Sequence, residues 1–281
     1  SDKRKYVLDC TRLTPRDANW VGKQDGGTGF LDSDAKKHKH IPNTLDDDDW
    51  VTCVLRPELV NSYAEMKVSK HIHKLVKEDE EARKKEDAAK GDDPSPDNKA
   101  ESKEKKLAET RAKFEQAEKE YIKTLKYNIN VFLPDMRSIE DLDKEAHAQL
   151  LKDEEEARTM ARYLWETVIP NLNNGIRYGS EHNLTIPVDG KALTEFIHDH
   201  GINCRYLGRL AELAMAEERK DAVLEEGGQR GMALVPRQRM PLCWLELLEC
   251  EMVARAAKHV LNSYMLEQGA SYGGPCAKLI A

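Results

Sequence analysis

Long apolar runs are missing from this sequence of 281 residues. No stretch approaches the roughly 18 consecutive apolar residues that a membrane-spanning helix requires. The charged opening residues, Ser1 to Lys5, do not lead into the apolar segment of a secretory signal peptide. The sequence therefore predicts a protein that resides in the cytoplasm and does not insert into a membrane.

Closely paired cysteines are missing as well. The chain has six cysteines and no CxxC pair: Cys10, Cys53, Cys204, Cys243, Cys250 and Cys276. In a chain of this length, scattered cysteines indicate reduced thiols and not a disulfide framework. Cys243 and Cys250 lie seven residues apart in a helical pattern, and we interpret them as small residues of the hydrophobic core.

An excess of positive charge is also absent. The chain carries 44 Lys and Arg against 51 Asp and Glu, a formal net charge of −7. Such a chain has no general electrostatic attraction for phosphate backbones, so nucleic-acid binding requires a local basic patch. Its composition, 40% hydrophobic and 34% charged, is typical of a helical protein with long solvated faces.

Motifs for catalysis, nucleotides and metals are scarce. The glycine-rich run Gly26 to Gly29 lacks the Lys-Ser/Thr pair of a phosphate-binding loop. The acidic run Asp46 to Asp49 lacks the spaced ligands and central glycine of a calcium loop. No serine or cysteine nucleophile is grouped with a histidine base in a recognisable motif. We therefore expect neither an enzyme nor a bound cofactor.

His198, His200 and Cys204 are the closest approach to a metal site. Two histidines that are two residues apart on a helix point in different directions, and a structural zinc site needs four well-spaced ligands. We therefore interpret both as helix-end histidines that interact with free carbonyl groups. Two further pairs have the same spacing and are equally weak: His38/His40 and His71/His73.

Residues 1–50 read as the tail of an upstream domain followed by a loop. Tyr6 to Cys10 form a short β-prone run before Pro15. One strand cannot form a sheet alone, so we expect a strand remnant whose partners lie upstream. Residues 21–49 are rich in Gly, Asp and His, which favours an irregular loop.

Residues 51–130 are predicted to form a charged helical hairpin. Its first helix opens at Pro57, which is favourable in a first helical turn. More than half of the residues from Lys77 to Glu120 are charged, and we expect a disordered tip over about 86–104 with the second helix resuming near Lys105. The hairpin is either a solvated spacer or an arm that docks a partner.

Residues 131–281 are predicted to form a helical domain. A long helix is expected from about Ile139 to Val168, ended by Pro170, followed by a connection over 171–189. Asp189 is expected to cap a short helix and Gly201 to close it. The inward face of a last helix, from about Pro241 to Leu266, is predicted to hold Leu245, Leu248, Met252, Ala256, Val260 and Tyr264. The predicted fold is all-α, an antiparallel bundle or a solenoid-like array, with no 34-residue repeat.

Four phrases of the sequence resemble segments of one protein family. In chain order they are YVLD with RLTPRDAN (6–9 and 12–19), LKYN with VF (125–128 and 131–132), HGIN with RYLG (200–203 and 205–208), and EMVARAAKHVL (251–261). These phrases are similar to the clustered mitochondria (CLU) family, in its central region and the end of its CLU domain. The charged insert at 77–120 carries none of the resemblance.

The resemblance implies a large cytosolic protein that keeps mitochondria distributed through the cell and binds messenger RNAs for mitochondrial proteins. It also implies an association of the full-length protein with ribosome or initiation-factor components, among them translation initiation factor 3, and contacts with other domains of the same parent chain. The implied function is an RNA-associated scaffold in mitochondrial distribution and translation. The alternative is a helical module that binds only proteins. The resemblance supplies no catalytic residues.

Basic side chains in the last third are the candidate site for RNA or an acidic partner. The candidates are Arg205, Arg209, Arg237, Arg239, Arg255 and Lys258. From residue 190 onward eleven Lys and Arg face twelve Asp and Glu, so ion pairing within the fold is the competing interpretation. The residues of the family phrases to which we assign structural roles are Gly201, Asn203, Tyr206, Gly208 and His259.

Overall fold

The computed structural model describes residues 14–28, 53–89, 99–132, 144–178, 186–226 and 241–267. Within these ranges the chain is helical and forms no β-strand, and Arg16 and Val54 make an isolated antiparallel bridge. The predicted all-α fold is therefore confirmed. The predicted strand at 6–10 lies outside the described residues.

The chain divides into two compact units, Ser1–Ala161 and Arg162–Ala281. The division into 1–50, 51–130 and 131–281 stays a prediction. The α-helices are α1 (Pro57–Ala89), α2 (Lys99–Thr124), α3 (Lys144–Tyr163), α4 (Ile169–Tyr178), α5 (Gly190–Asp199), α6 (Leu207–Glu226) and α7 (Leu242–Glu267). Short 3₁₀ turns lie at Ala18–Trp20, Lys23–Asp25 and Cys204–Tyr206, and a π-helical turn spans Leu164–Val168.

Helices α1 and α2 form the charged hairpin. The rings of His71 and Tyr121 stack with centroids 4.1 Å apart, and Lys113 Nζ lies 3.8 Å from Asp79 Oδ1. These two contacts make the helices antiparallel. Helix α1 begins at Pro57 as predicted, but α2 begins at Lys99 and not near Lys105. Residues 86–89 and 99–104, predicted as part of a disordered tip, are helical because their sequence is rich in Lys, Glu and Ala. The rest of the predicted tip lies outside the described residues.

Segment 14–28 is held in the first unit by buried polar side chains. Arg16 donates from Nη1 to the Phe132 carbonyl at 2.6 Å, and Asn19 donates from Nδ2 to the Ala161 carbonyl at 3.0 Å. Beside these bonds lies an apolar cluster of Ala18, Val21, Val131, Phe132, Ala157 and Ala161. The phrase RLTPRDAN therefore contributes structural hydrogen bonds, since Arg16, Asp17 and Asn19 are all buried.

Pro170 does not end a helix, contrary to the prediction. It lies in α4 directly after the π-helical turn, where the Ile169 N–H donates to the Leu164 carbonyl. A π-helical turn widens the backbone just where a proline ring would clash with the preceding turn, so the helix continues to Tyr178. Residues 171–178, predicted as connection, are helical, and Leu172 and Ile176 are buried.

Helix α5 has the predicted ends. The Asp189 carboxylate accepts the Ala192 N–H at 2.7 Å. At the other end Gly201 has φ 75°, its N–H donates to the His198 carbonyl, and the Ile202 N–H donates to the Ile197 carbonyl. This pair of bonds is a Schellman motif, which requires a left-handed residue at Gly201.

The core of the second unit is apolar. Trp244 and Leu248 of α7 are fully buried, and the Trp244 ring meets Phe196 of α5 edge-on with centroids 6.1 Å apart. Other fully buried side chains in this unit include Leu193, Ile197, Ile202 and Leu210. In the part of the chain that the structure describes, no helix combines the length and apolar character needed to cross a membrane.

Candidate interaction surface

The second half of α7 emerges from this core with every side exposed. Met252 lies next to Gly208 of α6, and Arg255 donates from Nη2 to Thr194 Oγ1 of α5 at 3.0 Å. All residues from Val253 to Asn262 are exposed. We call residues 253–265 the α7 surface.

The α7 surface is unusually apolar for an exposed helix. Val253 is 69% exposed, Val260 68%, Met265 41% and Leu261 40%. The alanines at 254, 256 and 257 are exposed as well. Helices with apolar residues around their whole circumference are normally buried, so this surface has the composition of an interface.

Positive charge accompanies the apolar residues. No Asp or Glu occurs between Glu251 and Glu267. Lys258, Leu261 and Met265 follow one another at intervals of three and four residues, which places them on one helical stripe. The described residues that line an open groove of about 500 Å³ along this stripe are Arg255, Lys258, His259, Leu261, Asn262 and Met265.

Two of the predicted basic residues are engaged within the fold. Arg255 Nε donates to Glu251 Oε1 at 2.7 Å. Arg209 Nη1 donates to Glu212 Oε2 at 2.7 Å, and its guanidinium lies 4.5 Å from the centroid of the Trp165 ring. Arg209 therefore anchors α6 to the aromatic ring at the π-helical turn.

The other predicted basic residues occupy different positions. Arg205 lies in the 3₁₀ turn before α6 and is half-buried. Lys258 is exposed on α7, one turn from Arg255. Arg237 and Arg239 lie outside the described residues. The structure thus places Arg255 and Lys258 together on α7 and Arg205 and Arg209 together at the start of α6.

The helix-end histidines lie near the Schellman motif. His200 Nδ1 is 2.7 Å from the Phe196 carbonyl, as expected for a histidine at a helix end. His198 Nε2 is 3.3 Å from Cys204 Sγ. Within the described ranges, His, Cys, Asp and Glu side chains form no group of three that could hold a metal ion.

A second polar cluster lies at the base of the hairpin in the first unit. Lys67 Nζ is 2.6 Å from Glu156 Oε1, and the Tyr63 hydroxyl bonds to the same carboxylate. Burial, and then the charge of Glu156, raises the pKa of Tyr63, and the same two causes raise the pKa of Tyr127 to about 12. The Tyr127 hydroxyl is buried and has no hydrogen-bond partner among the described residues.

Comparisons with known proteins identify related sequences. A family model described as "Translation initiation factor eIF3 subunit 135" matches residues 184–276, which include α5, α6 and α7. Two relatives named "Clustered mitochondria protein homolog", from Coccidioides immitis (strain RS) and Aspergillus fumigatus, are each 32% identical over 98% of this chain. A third, from Ajellomyces capsulatus, is 32% identical over 94% of this chain. Over almost its whole length the chain is thus similar to clustered mitochondria proteins.

The chain corresponds to a limited part of these family members. Each alignment covers 18% of the length of the relative. No solved structure matches the chain.

The residues that carry the family resemblance at 200–208 lie mostly in the backbone turn between α5 and α6. Asn203 caps the 3₁₀ turn by accepting the Arg205 N–H at 3.0 Å. Tyr206 is buried with its ring edge-on to Trp165, 6.2 Å between centroids. Gly208 faces Met252 of α7. These residues and Gly201 shape the connection, whereas His259 lies in the groove of the α7 surface.

Sequence reasoning missed the α7 surface. Ala256 and Val260 were predicted to point inward, and Cys243 and Cys250 were predicted to be buried, but all four are exposed. Leu248, in the first half of α7, is buried as predicted. A signal was present in the second half, where apolar residues occur around the whole helix and exceed what one inward stripe can hold.

Proposed function

We propose that this chain is a non-enzymatic scaffold segment of a clustered mitochondria protein. In this proposal the parent protein acts in the cytoplasm, keeps mitochondria distributed, and promotes translation of messages for mitochondrial proteins. The similarity to clustered mitochondria proteins along almost the entire chain supports the mitochondrial role. The match to an initiation factor subunit model over residues 184–276 supports the link to translation.

The α7 surface is the observation that carries the scaffold role. It offers exposed Val253, Val260 and Met265 on a helix whose other half is fixed in the core. A rigid helix with an exposed apolar face is a common protein-binding element. By contrast, Arg209 and Arg255 already form ion pairs with carboxylates within the fold, and this pairing weakens their attraction for phosphates.

Removal of the gene tests the mitochondrial role. We expect the mitochondria of cells that lack the parent protein to collapse into clusters, and reintroduction of the gene to spread them again. Translation of mitochondrial messages, measured by ribosome association, is expected to fall in the same cells. Mitochondria that stay evenly spread after the deletion would contradict the proposal.

Direct RNA contact is a second candidate function, favoured by the exposed Lys258 and by the absence of acidic residues between Glu251 and Glu267. Filter binding of the chain to messenger RNA at about 50 and 200 mM salt separates the two candidates. Phosphate binding predicts strong RNA retention that is lost at the higher salt and in Lys258→Glu, but not in the matched control Arg219→Glu on α6. Retention that is absent at both concentrations removes direct RNA contact by this chain.

A further inference from the structure

We propose that Cys204 is a site of reversible oxidation by hydroperoxides and that His198 is the base that activates it. The proposal goes beyond the scaffold function and does not depend on it. It rests first on the contact between the two side chains, since Cys204 Sγ lies 3.3 Å from His198 Nε2. A thiol beside an imidazole is the arrangement that activates cysteine for nucleophilic attack.

The turn between α5 and α6 brings these two residues together. His198 lies in the last turn of α5, and Cys204 follows six residues later at the start of the 3₁₀ turn. Between them Gly201 takes a left-handed φ of 75°, and the N–H groups of Gly201 and Ile202 donate to carbonyls of α5. Backbone hydrogen bonds therefore hold the thiol beside the imidazole.

The position of Cys204 at the start of a helical run also favours attack by its sulfur. Cys204 is the first residue of the 3₁₀ turn, which Asn203 caps and which continues directly into α6 at Leu207. Backbone N–H groups at the start of a helix favour negative charge. This position and the neighbouring imidazole both assist the thiol in losing its proton as it attacks an electrophile.

Solvent access separates Cys204 from the other described cysteines. Cys204 is half-buried, whereas Cys53 is buried and Cys243 and Cys250 are exposed on α7. A half-buried thiol is open to a reagent as small as hydrogen peroxide. Cys243 and Cys250 are more accessible, but no histidine of the described residues bonds to either of them. Their reactivity therefore measures the effect of exposure without a base.

The oxidation balances with hydrogen peroxide as its one co-reactant. As the sulfur attacks a peroxide oxygen, the thiol proton passes to His198 Nε2, an S–O bond forms and the O–O bond breaks. The leaving hydroxide takes the proton from the imidazolium and departs as water. The sulfur loses two electrons and becomes a sulfenic acid, and the peroxide gains them. A thiol reductant returns the sulfenic acid to cysteine.

Peroxide treatment of the purified 281-residue chain tests the proposal. Sulfenic acids are trapped with dimedone at neutral pH, and mass spectrometry measures the rate at each cysteine. An ordinary cysteine is only a few per cent thiolate at neutral pH, so we expect Cys204 to react about fivefold or more faster than Cys243 and Cys250. Exposure alone predicts the opposite order. Dithiothreitol added before the trap should return Cys204 to its thiol.

Substitution of the two histidines at this helix end identifies the base. His198→Asn is expected to slow the oxidation of Cys204 by about fivefold and to leave Cys243 and Cys250 unchanged. The matched control is His200→Asn, because the Nδ1 atom of His200 lies 2.7 Å from the Phe196 carbonyl. This control should leave the rate at Cys204 unchanged.

The direction of the rate change separates a base from a purely structural contact. If His198 served only to hold the turn, its loss would expose the thiol and raise the rate at Cys204. A slower rate in His198→Asn therefore indicates the loss of the base. The proposal is overturned if Cys204 reacts no faster than Cys243 and Cys250, or if His198→Asn does not slow it. Neither result bears on the scaffold function, which the gene deletion tests separately.

Discussion

Segment 14–28 of the first unit and helix α7 of the second reverse the usual distribution of side chains. In the segment, Arg16, Asp17 and Asn19 are buried and bonded to backbone groups. In α7, by contrast, Val253, Val260 and Met265 are exposed. Charged residues are thus structural in one region and apolar residues form the candidate binding surface in the other. In this protein, residue type alone is a poor guide to which residues meet a partner.

Truncation of Trp244 should have the largest effect on stability. Comparison with Val253 tests whether the first half of α7 belongs to the core and the second half does not. Trp244 is fully buried against Phe196, so Trp244→Ala is expected to lower the free energy of unfolding by about 3–5 kcal/mol. Val253→Ala, on the same helix at 69% exposure, is expected to cost less than about 0.5 kcal/mol. Urea denaturation monitored by circular dichroism measures both. Similar losses from the two variants would contradict the division.

Replacement of Arg16 should have the next largest effect on stability. It tests whether buried polar side chains hold segment 14–28 in place. The side chain is buried and donates to the Phe132 carbonyl at 2.6 Å. Arg16→Ala is expected to lower the free energy of unfolding by about 2–3 kcal/mol, because a charged hydrogen bond is lost and a buried carbonyl is left unpaired.

Arg111→Ala is the matched control for that experiment. Arg111 is exposed on α2 and pairs with Glu115 at 3.2 Å. Exposed pairs of this kind contribute little, so we expect a loss below about 0.5 kcal/mol in the same denaturation assay. A loss from Arg16→Ala that is no larger than this control would show that the buried arginine does not hold segment 14–28.

Substitution of Tyr127, whose polar hydroxyl is also buried, should have the smallest effect on stability at neutral pH. Its buried hydroxyl has no hydrogen-bond partner among the described residues, so Tyr127→Phe is expected to change the free energy of unfolding by less than about 0.5 kcal/mol at pH 7.

The contribution of Tyr127 to stability should become measurable at alkaline pH. Burial raises the pKa of Tyr127 from 10.0 to about 12, so the unfolded chain loses this proton before the folded chain does. The contribution of this group to stability is therefore complete below pH 10 and is lost as the pH rises toward 12. The free energy of unfolding, measured at several pH values across this range, should fall less steeply with pH for Tyr127→Phe than for the unaltered chain. Parallel curves would contradict the raised pKa.

Local sequence signals predicted the ends of several elements because their physics is local. Pro57 begins α1, Asp189 caps α5, and Gly201 closes it with a positive φ. In each case the backbone requirement is met by one residue and its immediate neighbours. The resemblance to the family was also detectable, since its phrases are distributed along nearly the whole chain.

The failures share a dependence on distant contacts. Pro170 is accommodated by a π-helical turn, a feature with no simple sequence signature. The exposure of Val260 depends on where α5 and α6 stop covering α7, which helical periodicity cannot state. The partners of Arg209 and Arg255, by contrast, are local: Glu212 and Glu251 lie three and four residues away on the same helices, a spacing that the sequence already contains.

The two contacts within the charged hairpin have a consequence for its evolution. Both are centred on position 96, which lies 25 residues from His71 and Tyr121 and 17 residues from Asp79 and Lys113. Insertions or deletions of equal length on the two sides of this centre would change the length of the hairpin beyond these contacts. The same two pairs of side chains would still meet. The arm is therefore symmetric in length and adjustable, and homologous proteins could carry longer or shorter versions without altering the body from which it extends.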